Sequence, residues 1–145
     1  MKIEQIQSDW QSDCKIDDDH LDKASMHTPN LHQKYLSLLI PAKLKLAQFN
    51  HEYNTTRKNK FRYYRGEMTQ EELTAANLEQ WQGAKPLRAE MDEFLIGDTE
   101  LSSLKLKIEY FNTMIYQLES ILTAIRARDW QIKNSISYKQ FIAGM

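Results

Sequence analysis

Between Arg57 and Arg65 the sequence places five cations, Arg57, Lys58, Lys60, Arg62 and Arg65, and three aromatics, Phe61, Tyr63 and Tyr64, with no acid among them. Lys and Arg neutralise phosphates, and aromatic faces stack on unpaired bases. This mixture points to binding of a single-stranded nucleic acid, with Arg57, Lys58, Lys60, Arg62, Tyr64 and Arg65 as the contact set. At about 100° per residue, Lys58, Arg62 and Arg65 share one helical face, and Arg57, Phe61 and Tyr64 form the adjoining stripe. The upstream apolar residues Leu46, Phe49 and Tyr53 project to another side, which continues into Lys60, Tyr63 and Tyr64. Lys58, Arg62 and Arg65 are therefore expected to point away from the core. A plainer reading stays open, in which the run is a solvated helix end whose cations complement the macrodipole and whose tyrosines sit in the core.

Residue types that carry catalysis are poorly arranged. There is no Gly-rich phosphate loop, no H-E-x-x-H and no carboxylate cluster spaced for two-metal chemistry. His20, His27, His32 and His51 are scattered among polar helical positions, and Cys14 has no evident activating partner. Asp17, Asp18 and Asp19 beside His20 read as helix capping and first-turn acids, not as a metal cluster. The expectation is a binding protein without enzymatic activity and without a cofactor.

The 145 residues suffice for one domain with a real core, and the net charge of -1 creates no global field toward DNA or membrane. Charge is instead distributed in blocks: residues 1–27 carry -4, 28–66 carry +7, 67–100 carry -7 and 101–145 carry +3. One face for a polyanion and another for protein partners would use such blocks, and so would intramolecular neighbours. A single cysteine excludes an internal disulfide. The absence of an apolar leader and of a membrane-length apolar run reads as a soluble intracellular protein with no membrane partner.

Four Gly and three Pro, with abundant Leu, Ile, Lys, Glu and Gln, favour helices. Ile3, Ile6 and Trp10 mark a first amphipathic helix. After a break at Asp13 to Ile16, a second helix carries Leu21, Ala24 and Met26. Thr28-Pro29 reads as N-cap and N1 of a third. Pro41 either kinks that helix or starts another, which Gly66 stops. Thr69 to Glu72 is a capping box for a short helix through Leu73, Ala76 and Trp81 to Gly83. Pro86 opens a weakly patterned run to Gly97.

The longest pattern is C-terminal. Leu101, Ile108, Ile115 and Leu122 repeat every seven residues, as do Leu104, Phe111, Leu118, Ile125 and Ile132, until Asp129 interrupts the first series. This predicts a coiled-coil or bundle helix, with Leu106, Met114 and Ile121 as a second strip. Trp130, Ile136 and Phe141 extend the apolar set into the tail, where subunit assembly would bury them. The predicted fold is all-α, a helical hairpin or bundle with a long coiled-coil-like C-terminal helix that assembles into a homo-oligomer. Residues 1–100 form the binding region with an acidic connecting arm, and 101–145 the oligomerisation helices, within one compact unit. The oligomerisation set is Leu104, Ile108, Phe111, Ile115, Leu118, Leu122, Ile125, Trp130, Ile132, Ile136 and Phe141; an intramolecular bundle helix is the alternative.

Several segments, in order and at the right spacing, carry a family resemblance. They are Met1 to Gln7, Ile16-Asp17, Lys58 to Gly66, Leu95 to Leu101, Ala124 to Lys133 and Phe141 to Gly144. Over nearly its whole length the chain resembles the UvsY recombination mediators of T-even-type phages. The resemblance implies a non-enzymatic accessory factor acting in the cytoplasm of an infected bacterium. Such a factor binds single-stranded DNA as a ring-like homo-oligomer, with six and seven subunits both open. It helps a RecA-like phage recombinase displace the phage single-strand-binding protein and nucleate its filament. It further implies DNA contact by a Lys-x-Arg pair ahead of the paired tyrosines, here Lys58 and Lys60, and assembly through the C-terminal region. Lys60 keeps the charge of the family's Arg but not its planar fork. Pro29, Pro41 and a longer last helix depart from the family pattern.

An oligomer would repeat the basic arc, so modest contacts per protomer would gain by avidity. Phosphate contacts and stacking read no base edges, so little sequence preference is expected. Two rivals use the same residues: a helical adaptor whose arc meets an acidic protein surface, and an RNA-binding helical module.

Overall fold

The computed structural model describes residues 1–144. Among them are five helices and no strand: α1 (Ile3–Asp13), α2 (Leu21–Tyr64), α3 (Gln70–Ala75), α4 (Met91–Ile96) and α5 (Thr99–Ile142). The all-α expectation holds, and so does the long C-terminal helix. No helix among these residues is long and apolar enough to cross a membrane.

The chain divides into two compact units, one of residues 1–44 with 111–145 and one of residues 45–110. Both long helices run through both units: α2 passes from one to the other after Leu44, and α5 after Tyr110. The boundary drawn at residue 100 from the sequence falls inside the second unit.

In the first unit, α1 buries Ile6 completely and sets Trp10 edge-on to Tyr35, with ring centroids 5.6 Å apart. Asp13 fixes the end of α1 by accepting from Lys34 Nζ at 2.6 Å and from Tyr35 Oη at 2.8 Å. Burial alone would raise the Asp13 carboxyl, but these two donors outweigh it and hold the group below its ordinary value. The start of α2 is prepared by Asp17, whose carboxylate accepts from the Asp19 amide and meets His20 Nδ1 at 2.7 Å. Leu21 and Ala24 form a buried cluster with Ile132, against which Ile16 packs. Met26, expected on that face, is exposed.

Thr28-Pro29 does not begin a helix; both Pro29 and Pro41 lie inside the 44 residues of α2. Each proline removes one backbone hydrogen bond, at up to about 3 kcal/mol. Burial of Leu31, Tyr35, Leu39 and Ala42 along the same helix offsets that loss. Likewise α5 runs through Asp129, which is exposed, so a charge there leaves the helix uninterrupted.

In the second unit, α2 ends as Gly66 was expected to end it. Gly66 has φ +70, its amide bonds Tyr63 O at 3.0 Å, and the Glu67 amide reaches back to Arg62 O at 2.9 Å. The Thr69 capping box forms, with Glu72 as its reciprocal partner. The helix it opens stops at Ala75 instead of reaching Trp81. Asn77 takes φ 55, and the Leu78 amide returns to Leu73 O at 2.9 Å, which closes the helix after two turns. Gly83 leaves room for the Trp81 indole, since a Cβ there would lie 2.4 Å from the ring. Met91 and Leu95 of α4 and Leu101 of α5 make the apolar centre, against which Tyr53, Phe61 and Tyr64 pack.

Candidate nucleic-acid interface

The end of α2 carries the basic arc, and the acidic segment that follows it folds back onto that arc. Arg57 Nη2 lies 3.3 Å from Asp92, Arg62 Nη2 2.9 Å from Glu72, and Arg65 Nε 2.9 Å from Glu67. Lys60 Nζ sits 3.4 Å from Asp98 and 3.2 Å from Glu100. The opposed charge blocks are therefore intramolecular neighbours. Lys58 alone of the five cations has no ion-pair partner among the described residues, and it is exposed.

These pairs differ in kind. Those of Arg57 and Arg65 are open to solvent on both sides and contribute about 0–1 kcal/mol each, so a phosphate can exchange for the carboxylate. Arg65 also lies over the Phe61 ring, 5.8 Å from its centroid. Arg62 is half-buried and meets both oxygens of Glu72, so it points less freely outward than the helical projection predicts. Its hydrogen bond is the main cause that holds the Glu72 carboxyl below its ordinary value.

Lys60 and Tyr64 are committed more deeply. Asp98 is 6 % exposed and accepts from Tyr64 Oη at 2.7 Å and from the Leu101 amide at 3.0 Å, which caps α5. Burial would raise Asp98, but the Leu101 amide, the Tyr64 hydroxyl and Lys60 together hold its carboxyl below the ordinary value. Burial would likewise lower Lys60; its hydrogen bond to Glu100 and the nearby Asp98 charge raise it instead. Tyr64 packs edge-on to Trp81 at 5.0 Å and to Phe94 at 5.8 Å, and Tyr63 donates to Glu79 O at 2.9 Å. The tyrosines are tucked into an aromatic cluster, as the plainer reading held. Stacking of Tyr64 on a base would require breaking those contacts. No group of residues able to hold a metal ion occurs among the described residues.

The sequence profile described as "Recombination, repair and ssDNA binding protein UvsY" matches residues 9–145. The chain belongs to the UvsY family. Its fold is that of the bacteriophage T4 recombination mediator protein UvsY. The type II lattice crystal structure of that protein aligns with a TM-score of 0.87 at 20 % identity, covering 99 % of this chain and 98 % of that one. The type I lattice gives 0.84 at 18 % identity over 94 % and 98 %. No match was found among curated protein sequences.

Assembly through the C-terminal region was expected from the sequence, and the folded chain divides that set of residues. Leu104, Ile115, Leu118, Leu122, Ile125 and Ile132 are 9 % exposed or less, and Ile108 and Phe111 are half-buried. These positions already form the protomer's own core, so the heptad seam is intramolecular there. Trp130, Ile136 and Phe141 are 69, 40 and 79 % exposed, with Tyr138 and Ile142 also open. On the helix, Trp130, Tyr138, Phe141 and Ile142 fall within one arc opposite buried Ile132. Leu106, expected in a second strip, is exposed.

Two buried polar residues, one in each unit, escaped the reading of the sequence. Asp98 was legible as an N-cap, since it precedes Thr99-Glu100-Leu101 at the start of the heptads. Arg128 follows Met114 and Ile121 at seven-residue spacing, which puts a cation on a buried strip; it is 4 % exposed.

Proposed function

We propose that this protein is a non-enzymatic recombination mediator that binds single-stranded DNA as a ring-like homo-oligomer. It helps load a RecA-like phage recombinase by displacing the single-strand-binding protein. The observation that carries this reading is the family match over residues 9–145. Two features of the protomer support it. Lys58 stands free on the solvent face of α2, flanked by Arg57 and Arg65 in exposed pairs that a phosphate can enter. The C-terminal end of α5 offers an apolar stripe that a second copy of the chain would bury.

Because most of the arc is internally paired, each protomer contributes little net positive charge, and affinity depends on repetition around the oligomer. Lys60 and Tyr64 then act by shaping the end of α2, and Lys58 by direct phosphate contact. Fluorescence anisotropy of labelled oligothymidylate, from low to physiological salt and with a duplex control, tests the reading. Tight single-strand binding that falls with salt and ignores base sequence is expected. An intact oligomer that binds no strand at low salt would overturn it.

A further inference from the structure

Arg128 is 4 % exposed, yet no carboxylate among the described residues pairs with it. Its Nε donates to Thr28 Oγ1 at 3.2 Å and its Nη2 to Ala24 O at 3.4 Å. Both acceptors are neutral. A buried charge is costly unless something of opposite sign compensates it. Arg128 also lines a cavity of about 370 Å³, together with Lys15, Lys23, His20, His27 and Ala24 and with one acid, Asp17.

That acid is already engaged. One Asp17 oxygen meets His20 Nδ1 at 2.7 Å and the other accepts from the Asp19 amide at 3.0 Å. The neighbouring Asp18 is held by Lys139 at 3.5 Å. Lys15 and Lys23 are exposed and form no ion pair among the described residues. Arg128, Lys15 and Lys23 thus line a concavity that holds one carboxylate, Asp17, whose two oxygens already have partners in His20 and the Asp19 amide.

We propose that this cavity binds a phosphate group, with Arg128 as its buried donor and Lys15 and Lys23 as flanking charges. With one Nε and one Nη2 hydrogen given to Thr28 and Ala24, three guanidinium hydrogens are left to a phosphate as charge-assisted donors, and ammonium groups at the rim add attraction without demanding fixed geometry. The residues all belong to the first compact unit, whereas Lys58 belongs to the second. The phosphate has two possible sources, the backbone of a nucleic-acid strand or a free anion. The free-anion case does not depend on the strand-binding function proposed above.

The test uses the full chain and the double variant Lys15→Ala/Lys23→Ala. Arg128 is unsuitable for substitution because it also bonds α2. Inorganic phosphate is compared with chloride at equal ionic strength by thermal unfolding and calorimetric titration. The same two proteins are then titrated against oligothymidylate at several salt concentrations. The wild type should show an added upward shift in melting temperature with phosphate, and the variant should lose most of it, with affinity at least about fivefold weaker. A variant whose oligothymidylate salt slope falls by about 1.4 assigns the phosphate to the strand. A loss confined to inorganic phosphate assigns a free anion. Phosphate stabilises proteins generally by exclusion from their surface. Equal phosphate shifts in both proteins, together with an unchanged oligothymidylate slope, would therefore overturn the proposal.

Discussion

The phenol of Tyr64, in the last turn of α2, donates a 2.7 Å hydrogen bond to the carboxylate of Asp98, the residue that caps α5. One contact thus joins the basic arc to the start of the C-terminal helix. It also ties stability to pH at both ends of the scale. Burial first, and then the Asp98 hydrogen bond and charge, push the Tyr64 hydroxyl up to about 12 from 10.0. Between those values the unfolded chain has lost its proton and the folded one has kept it, so stability falls as pH rises. The Asp98 carboxyl is held below 3.8, so its contribution is complete above that value and is lost as pH falls through the lower folded value. Thermal unfolding from pH 3 to 11 should show both declines. Tyr64→Phe should cost about 1–2 kcal/mol at pH 7 and flatten the alkaline decline, and Asp98→Asn should flatten the acid one.

Lys58 and Lys60 should separate into two roles when mutated singly. Lys58→Ala removes an exposed, unpaired charge, so melting should change by less than about 0.5 kcal/mol. Binding to oligothymidylate should weaken alike for all base sequences, with a shallower salt slope. Lys60→Ala withdraws one of the partners of buried Asp98 and should cost about 1–3 kcal/mol of stability. Melting curves and anisotropy on each variant decide the matter. If Lys60→Ala melts as the wild type does and binds more weakly, Lys60 is a direct contact.

The legibility of the chain was uneven for physical reasons. Helix content, the Gly66 stop and the Thr69 cap follow from local rules and were readable. Thr28-Pro29 misled as a helix start because burial along a 44-residue helix overrode a local breaker, and local rules left open whether Pro41 lay within that helix or began another. The short α3 ended early because Asn77 took a left-handed conformation that its side chain tolerates but does not announce. For the candidate site, composition located the arc and periodicity placed Lys58 outward. Which acid would pair with which cation depends on the fold of residues 67–100, and no helical projection contains that. Heptad spacing, in turn, reveals that a face is apolar without saying whether the same chain or another covers it.

The two classes of apolar residue on α5 should respond differently to truncation. Leu118 is fully buried in the protomer, so Leu118→Ala should cost about 2–5 kcal/mol and lower the melting temperature whatever the assembly state. Trp130→Ala with Phe141→Ala removes exposed surface and should leave a folded protomer that sediments as a smaller species. Sedimentation velocity with far-UV circular dichroism tests this. An unchanged sedimentation coefficient would exclude the stripe as the assembly surface.

Pro41 offers a test of how α2 tolerates its breakers. Its ring is exposed, and its missing amide deprives Ser37 O of the usual helical donor. Alanine at this position would supply that donor and has the best helix propensity, so Pro41→Ala should stabilise the chain, by up to about 3 kcal/mol. The gain is that large only if the neighbouring packing is undisturbed. Leu39 and Ala42 on either side are buried, and their packing sets the direction of the axis there. A rise in melting temperature shows that packing holds α2 despite Pro41. A fall would show that replacing the proline misplaces Leu39 and Ala42 at a cost greater than the restored hydrogen bond.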